Sequence, residues 1–496
     1  MYSFLGISVA VVAAALNHYL LDARHSSTAA VLIGSFLLTR YLSCRHSKRL
    51  LFPGPSGWPI IGNALDIPQQ HPWITYSKWS ETFGDIVHLE ALGEHLVVLN
   101  SARVAKDLLD KRSSIYSDRP HFLPLQHYGE AWRMQRKIVA QSFSPSLVHR
   151  YYGIQELEAR RLVLSAIDEP STIVSKTKLR VAAIIMRVTY GYTVKGIDDP
   201  MITLPFSAMD NFSVATEPGK WLVDFIPQLR HLPEWTPGAT FLRMAKEWRE
   251  LEWNASWNPY LWCKKNLDTG IAQTPSLCAT VLSEADGKMS AEDEATLVWA
   301  ASSGLGGGLD TNMCTIFVFI LAMLHYPHVQ ERAQAEIDTV VGRERLPSIS
   351  DRAELPYVRS IISEVYRWAP ATPLGLPHAL MQDDVYDVYP EPMEFKPERF
   401  QKLDSEMQKV IDLSFGFGRR ACPGSHFAGG TIFAVVSTLL ATCSIMPVVD
   451  TNGKAVISEL SFTSGTIIFP ENVVCDLKPR SAHARSLLSQ AISAAE

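Results

Sequence analysis

The sequence predicts a mainly α-helical protein with a minor β portion (α+β class), built as one large domain behind an N-terminal membrane anchor. Three observations predict this class. Apolar residues recur with a helical period over long stretches up to about residue 367. Strand-like alternation is confined to 85–100 and to short pieces after 450, such as 457–470. Two apolar runs, 4–21 and 28–42, precede everything else.

The composition is that of an ordinary folded chain, with 496 residues of which 47% are hydrophobic and 20% charged. It excludes disordered, collagen-like and disulfide-scaffold proteins. The net charge of −5 argues against general nucleic-acid binding, which needs a basic face. Seven cysteines, none of them in a CxxC pair, indicate a reducing compartment and no zinc cluster.

The two N-terminal runs predict a membrane anchor over 1–44, because each approaches the ~20 apolar residues that cross a bilayer. Arg45, Lys48 and Arg49 follow the runs, and a basic cluster of this kind stays on the cytosolic side. The alternative, a cleaved signal peptide, lacks its usual basic residues ahead of the first run. Whether one run or both cross the bilayer stays open.

A basic, then proline- and glycine-rich connector over 45–63 predicts the boundary between this anchor and a domain over 64–496. Its second part, 51–63, places three prolines and three glycines between apolar residues, which is typical of a stiff, turning linker. A helical pattern then covers 75–82, and alternating residues predict two strands on either side of Gly93.

The longest predicted helix runs from Ser290 to Leu324. Ser290 with Asp293 forms an N-cap pair, Pro327 ends the run, and such a helix is roughly 50 Å long. Four glycines within 304–308 each weaken a helix by about 1 kcal/mol relative to alanine. They indicate a large group against the bare backbone, a local opening of the helix, or close helix–helix packing.

Two later apolar stretches, 315–324 and 431–443, predict buried core helices rather than membrane spans. The first is too short to cross a bilayer, and the second directly follows a cysteine–proline turn.

The segment 415–424, FGFGRRACPG, is the main chemical signal of the sequence. Its glycines predict a tight loop around Cys422, with Pro423 at the first position of the next helix. A helix N-terminus and two preceding arginines favour the thiolate form. Such a cysteine is either a nucleophile, which needs a histidine partner that only His426 offers nearby, or a metal ligand. A buried structural cysteine would not need the glycines.

The segment resembles the haem-binding loop of cytochrome P450 monooxygenases, F-x-x-G-x-R-x-C-x-G. Its defined positions are Phe415, Gly418, Arg420, Cys422 and Gly424. Further motifs in the family's order are E-x-x-R at Glu364 and Arg367, PERF with Arg399, GGLDT at 307–311, and W-x-x-x-R at Trp132 and Arg136. The sequence is most similar to the membrane-anchored, fungal secondary-metabolism branch of the family.

The resemblance implies a cytochrome P450-like haem domain that binds haem b, with Cys422 as the axial iron ligand. Phe415 belongs to the same cofactor site. The implied partners of the haem propionates are Trp132, Arg136, His378 and Arg420. The implied structural network comprises Glu364, Arg367 and Arg399, whose charge-assisted hydrogen bonds are of the strong kind. Without Arg399, the alternative is that Glu364 and Arg367 form a surface ion pair, which contributes little to stability.

For the reaction, the resemblance assigns Thr311 to relaying protons towards O₂ and Asp310 to feeding that relay as a general acid. Electrons come from NADPH through a separate cytochrome P450 reductase, since the sequence carries no flavin or dinucleotide fingerprint. The predicted docking face for the reductase is basic and comprises Arg133, Lys137 and Arg419. The implied location is the endoplasmic reticulum membrane, with the domain in the cytosol.

The sequence departs from the family pattern in two segments, near 123–127 and 379–392, which are shorter than usual, and at Asn312. The predicted function is insertion of one O atom from O₂ into an apolar small molecule, such as a terpenoid of fungal secondary metabolism. The alternative is a haem-binding but catalytically impaired member, disabled by the short segments. A membrane-tethered helical scaffold without a cofactor is disfavoured by the intact cysteine loop.

Overall fold

The computed structural model describes residues 51–59, 61–120, 126–217, 220–269, 275–382, 404–451 and 453–495, without the side chains of 225 and 404–409. The predicted anchor, the basic start of the connector, Arg399 and most of the two short segments lie outside these residues, so those expectations stay predictions. The described residues form two compact units, one of 51–105 with 220–243 and one of 106–217 with 244–382 and 404–495.

Helices dominate the described chain, and the predicted fold class is confirmed. The helices are α1 (Pro72–Phe83), α2 (Ala102–Lys106), α3 (Ser113–Tyr116), α4 (Glu130–Ser142), α5 (Tyr152–Asp168), α6 (Ile173–Tyr190), α7 (Pro200–Ala215), α8 (Leu222–Phe225), α9 (Thr240–Asp268), α10 (Leu277–Ala285), α11 (Ala291–His325), α12 (Pro327–Val340), α13 (Pro356–Trp368), α14 (Asp404–Phe415), α15 (Ser425–Thr442) and α16 (Ala482–Ser493). The strands are β1 (Ile86–Ala91), β2 (Glu94–Leu99), β3 (Cys443–Met446), β4 (Val448–Val449), β5 (Ala455–Val456) and β6 (Asp476–Pro479).

The first unit is built on an antiparallel hairpin of β1 and β2, with Ile86 opposite Leu99. The strands meet at Leu92 and Gly93, whose φ angles of 52° and 89° form the two-residue turn that suits strand twist. The two predicted strands around Gly93 are therefore confirmed. The connector lies along β1, because the backbone carbonyl of Pro53 accepts a hydrogen bond from the backbone N–H of His88 at 2.9 Å.

The second unit is organised around α11, which packs against α4, α6, α7, α13 and α15. The Ser290 hydroxyl accepts a hydrogen bond from the Asp293 backbone N–H at 3.1 Å, so the predicted N-cap is confirmed. The helix continues without interruption through the glycines to His325. A local opening of the helix, one of the three explanations offered for those glycines, is therefore not seen in the structure.

Two described helices, α11 and α15, are long and apolar enough to cross a membrane by length and composition. Their most apolar windows are 83% and 78% buried within the fold, which confirms both as core helices. Helix α15 begins at Ser425, two residues later than predicted, because Pro423 and Gly424 form a turn ahead of it.

The remaining strands form two small antiparallel sheets, β3 with β6 and β4 with β5. The strand-like segment 457–470 forms none of these strands, so that prediction is wrong in detail. The segment is a narrow loop in which the backbone N–H of Thr463 donates to the carbonyl of Phe469 at 2.8 Å. Gly465, with a φ of 142°, turns the chain before a longer ladder can form.

Candidate functional site

The loop that carries Cys422 is fixed by backbone contacts. The Cys422 N–H donates to the Phe415 carbonyl at 2.7 Å, which closes the loop. Gly418 has a φ of 58°, and a Cβ there would overlap the carbonyl oxygen of Leu109. That carbonyl belongs to a π-helical turn, Asp107–Lys111, lying directly against the loop. Glycine is therefore required at 418 both by conformation and by space.

The Cys422 thiol keeps a solvent-accessible surface although protein atoms surround most of it. This crowding raises the pKa of the thiol, while the N–H of Gly424 and the charge of Arg136 act in the opposite direction. The sequence predicted a lowered pKa from a helix N-terminus. The net direction differs because burial outweighs the Gly424 N–H and the charge of Arg136.

Arg420 joins the cysteine loop to α4. Its guanidinium lies 4.4 Å above the ring of Trp132 and donates to the carbonyls of Ser117 at 2.8 Å and Gln126 at 2.9 Å. Arg136, one turn after Trp132, is close enough to Cys422 for their charges to interact. The structure therefore brings the loop and the W-x-x-x-R motif together, and the role of these residues at the propionates stays a prediction.

His378 lies in the same region, but its protonation state limits what it can donate. Its Nδ1 is 2.6 Å from the Tyr116 carbonyl, and burial, with nearby Arg119, lowers the pKa of the imidazole to about 4. A neutral ring that donates Nδ1–H to a carbonyl has only an acceptor left at Nε2. His378 can therefore donate to a propionate only if the ring takes up a second proton, which the negative charge of that carboxylate would favour.

Arg119 is a buried cation that the sequence analysis missed. Only 6% of the residue is exposed, and its guanidinium donates to the carbonyls of Leu376 at 2.7 Å and Pro377 at 2.6 Å. Burial, with repulsion from Arg420, lowers its pKa to about 10. No motif in the sequence singles out Arg119, which lies just before the segment at 123–127.

Glu364 and Arg367 form the predicted pair on α13. Glu364 is fully buried and accepts from Arg367 Nε at 2.7 Å and Nη2 at 2.8 Å, a two-pronged geometry. Burial makes this a core ion pair rather than a surface one. Arg399, the predicted third member, lies outside the described residues.

The glycines of α11 divide into two groups by what lies next to them. A Cβ on Gly306 would be 2.8 Å from Met209 Sδ of α7, and one on Gly308 would be 2.8 Å from Ile185 Cδ1 of α6. These two permit close helix packing. A Cβ on Gly307 would meet no atom of the described residues within 4 Å, so this part of the chain leaves α11 uncovered at that glycine. Ser303, one turn earlier, is also exposed there.

Thr311 follows on that open face, because it lies one turn after Gly307. Its hydroxyl donates to the Gly307 carbonyl at 2.7 Å. Asn312 makes the equivalent bond from Nδ2 to the Gly308 carbonyl at 2.7 Å. This bond occupies Asn312 within the helix, so the departure from the family pattern keeps the helix intact.

Asp310 points into the protein instead. It is 6% exposed, and its pKa is raised to about 6 by burial and by the charge of Asp210, with Lys178 acting in the opposite direction. Asp310 and Thr311 are therefore adjacent in sequence but occupy different environments on α11, one buried and one beside the open space.

These groups fit a thiolate-ligated haem. Cys422 lies close to the positive charge of Arg136 and would ligate the iron, whose nitrogen ligands the macrocycle would supply. The guanidinium groups of Arg136 and Arg420 supply the positive charge that two propionates need. Gly307, which has no side chain, would leave room for the haem beside α11.

Comparison with known proteins agrees with this geometry. The family model for cytochrome P450 matches residues 52–387 and 385–466, and the two stretches meet inside the segment predicted to be short. Cytochrome P450 monooxygenase 105 of Postia placenta is 53% identical over 94% of this chain and 96% of its own length. Cytochrome P450 monooxygenase claR of Ampulloclitocybe clavipes is 35% identical over 92% and 91%. The resemblance first drawn from the Cys422 loop is confirmed, and the chain belongs to the cytochrome P450 family of oxidoreductases.

Proposed function

We propose that this protein inserts one oxygen atom from O₂ into an apolar small molecule of fungal secondary metabolism, such as a terpenoid. The observation that carries the proposal is the Cys422 loop, closed on Phe415 and bordered by the guanidinium groups of Arg136 and Arg420. Bound haem would supply an iron centre that activates O₂, and a cysteine thiolate favours O–O cleavage.

The remaining residues have distinct tasks in this proposal. Arg420, Arg136 and Trp132 hold the propionate side of the cofactor, and Glu364 with Arg367 stabilises the core beneath the loop. Thr311 presents a hydroxyl beside Gly307, where the reacting molecules have room. Asp310, with a pKa of about 6, takes up and releases protons near neutral pH.

For the electron donor, we propose an NADPH–cytochrome P450 reductase that docks on a basic face. Arg419 donates to the Tyr128 hydroxyl at 2.9 Å, and the Arg133 guanidinium lies 5.8 Å from the same ring. Both arginines and Lys137 are exposed. Anchoring by the N-terminal runs in the endoplasmic reticulum membrane would place this face in the cytosol beside the reductase.

A second candidate function is haem binding without productive turnover. It is favoured by the segments 123–127 and 379–392, which are predicted to be short; the two stretches of the family match meet inside the second.

The two functions separate in one reconstituted system. Purified protein is first reduced and treated with carbon monoxide, and we expect the absorbance band typical of thiolate-ligated haem. C422A should lose haem, and retained haem absorbance in that variant would contradict the ligand assignment. Addition of reductase, NADPH and an apolar metabolite library then tests turnover. Product favours the monooxygenase, and NADPH consumption without product favours the impaired member.

A further inference from the structure

One face of the β1–β2 hairpin carries two histidines whose rings are in contact. His88 on β1 lies opposite Val97 on β2, and Glu90 lies opposite His95. Side chains alternate between the two faces of a strand, so all four project from the same face. His88 Nε2 and His95 Nδ1 are 2.8 Å apart, and the ring centroids are 5.1 Å apart. No role described so far uses this pair.

The backbone of His88 is held on both sides, and this fixes where its ring begins. Its N–H donates to the Pro53 carbonyl of the connector at 2.9 Å, and a Cβ on Gly54 would overlap the His88 carbonyl oxygen. Because this N–H bonds to the connector and not to β2, His88 and Val97 form a non-hydrogen-bonded pair, the kind whose side chains approach most closely. The diagonal to His95 is then within reach of two aromatic rings.

The separation of the two nitrogens suits two ligands of one metal ion. Imidazole nitrogens bound to a metal at about 2.0–2.1 Å and at right angles lie about 2.9 Å apart, against about 3.3 Å for tetrahedral ligands. Tetragonal N and O ligation is typical of Cu²⁺ and Ni²⁺. Within the described part of the chain, no three His, Cys, Asp or Glu side chains converge on a metal position, so water would complete the coordination.

The electrostatic surroundings also favour a cation at the two rings. Burial and the neighbouring His95 lower the pKa of His88, so its ring is neutral at neutral pH, which is the form that ligates metals. Glu90 acts in the opposite direction on that pKa, because its negative charge stabilises positive charge at His88. A divalent cation would take the place of the single proton that joins the two nitrogens.

We propose that His88 and His95 form a binding site for a divalent transition-metal cation of the Cu²⁺ or Ni²⁺ type, which links β1 to β2 beside the connector. Both ligands belong to one hairpin, and His95 is exposed, so binding requires only rotation of side chains. The site does not depend on the oxygen chemistry proposed for the Cys422 loop.

The test uses the purified full-length chain with Ni²⁺ as the probe. Calorimetric titration measures the affinity, and hydrogen–deuterium exchange of peptides over 86–99 locates the bound ion. H95Q removes one ligand at an exposed position, and H149Q removes an exposed histidine of the second unit as the matched control. H95Q/V97H then places the lost imidazole directly opposite His88.

We expect H95Q to bind Ni²⁺ about tenfold more weakly or worse, since even the loss of an outer-shell partner weakens metal binding by about 10–100-fold. H149Q should keep the wild-type affinity, and H95Q/V97H should recover binding. Ni²⁺ should slow exchange in the hairpin of the wild type but not of H95Q, because the bound ion joins the two strands.

Three results would overturn the proposal. The first is equal affinity in the wild type and H95Q, or an equal loss in H95Q and H149Q. The second is an exchange rate over 86–99 that Ni²⁺ leaves unchanged in the wild type. The third is failure of V97H to recover binding in the H95Q background.

Discussion

Asp310 has a pKa close to neutral pH because it is a buried carboxyl. Its pKa of about 6 lies above the ordinary 3.8, because burial and Asp210 disfavour the anion. A carboxyl that hands on protons from solvent needs such a pKa, since it must be able both to hold and to release the proton. The same burial also makes the ionised form unfavourable for folding.

We therefore expect D310N to stabilise the fold at pH 8 more than at pH 5. Because the folded pKa exceeds the unfolded one, stability is lost as the pH rises from 4 through 6. The loss at pH 8 is at most about 3 kcal/mol, and asparagine avoids it. Thermal melts at both pH values measure the difference, while product formation should fall because the acid is gone. Equal changes in melting temperature at pH 5 and pH 8 would contradict the assignment.

Thr311 gives a second prediction for a single side chain. T311A removes the hydroxyl that lies beside Gly307 and leaves the helix otherwise unchanged. We expect NADPH consumption to continue while product per NADPH falls several-fold, because proton delivery is no longer directed. T311S keeps the hydroxyl and serves as the control. Product yield is compared with NADPH oxidised, and unchanged coupling in T311A would remove the relay role.

Among helices and loops, two glycines illustrate opposite structural demands. Gly307 faces open space on α11, whereas Gly418 combines a positive φ with the Leu109 carbonyl at its back. The sequence shows only that Gly307 lies in a predicted helix and Gly418 in a predicted loop. Their difference depends on neighbours from distant parts of the chain.

These neighbours predict different outcomes for alanine at the two sites. G307A should fold and gain up to about 1 kcal/mol of helix stability, but its methyl group should reduce haem loading or ligand binding on the open face. G418A should lower the free energy of unfolding by about 1–3 kcal/mol and lose much of its haem. Neither the backbone conformation nor the space at this position permits a side chain. Melting temperature and haem content per protein are the measurements. Similar behaviour of the two variants would contradict this account.

The elements that the sequence predicts well are those defined by local chemistry. The Ser290 cap and the hairpin at Gly93 follow from residues a few positions apart. The start of α15 was misplaced because Pro423 fits a turn as well as a first helical turn. The segment 457–470 alternates like a strand, but no strand among the described residues pairs with it beyond its base.

The residues of the site also divide into those that a local sequence motif predicts and those that it does not. The Cys422 loop is a contiguous motif and could be recognised, as could Glu364 with Arg367. The contact of Gly306 with α7 and the burial of Arg119 depend on chain segments far apart in sequence. No local pattern encodes such contacts, so they become visible only in the fold.

For the molecule as a whole, charge is distributed unevenly. The chain carries a net charge of −5, yet Arg133, Lys137 and Arg419 are exposed cations, two of them gathered at Tyr128. A local basic face on an acidic protein favours one acidic partner and not polyanions in general. Electrostatic complementarity of this kind acts mainly on the rate of association.

The last prediction follows from that face. R133E/R419E should slow NADPH-dependent reduction of the haem by the reductase about tenfold at low salt and flatten its dependence on ionic strength, because steering charges act through the rate of encounter. K288E, a charge reversal at a lysine whose side chain is 84% exposed, is the control and should behave as wild type.

Reduction by dithionite separates docking from damage to the site, since a small chemical reductant needs no protein docking face. If dithionite reduces the double variant normally while the reductase reaction is slow and insensitive to salt, the docking face is established. If the reductase reaction keeps its wild-type rate and salt dependence, electrons enter the protein elsewhere.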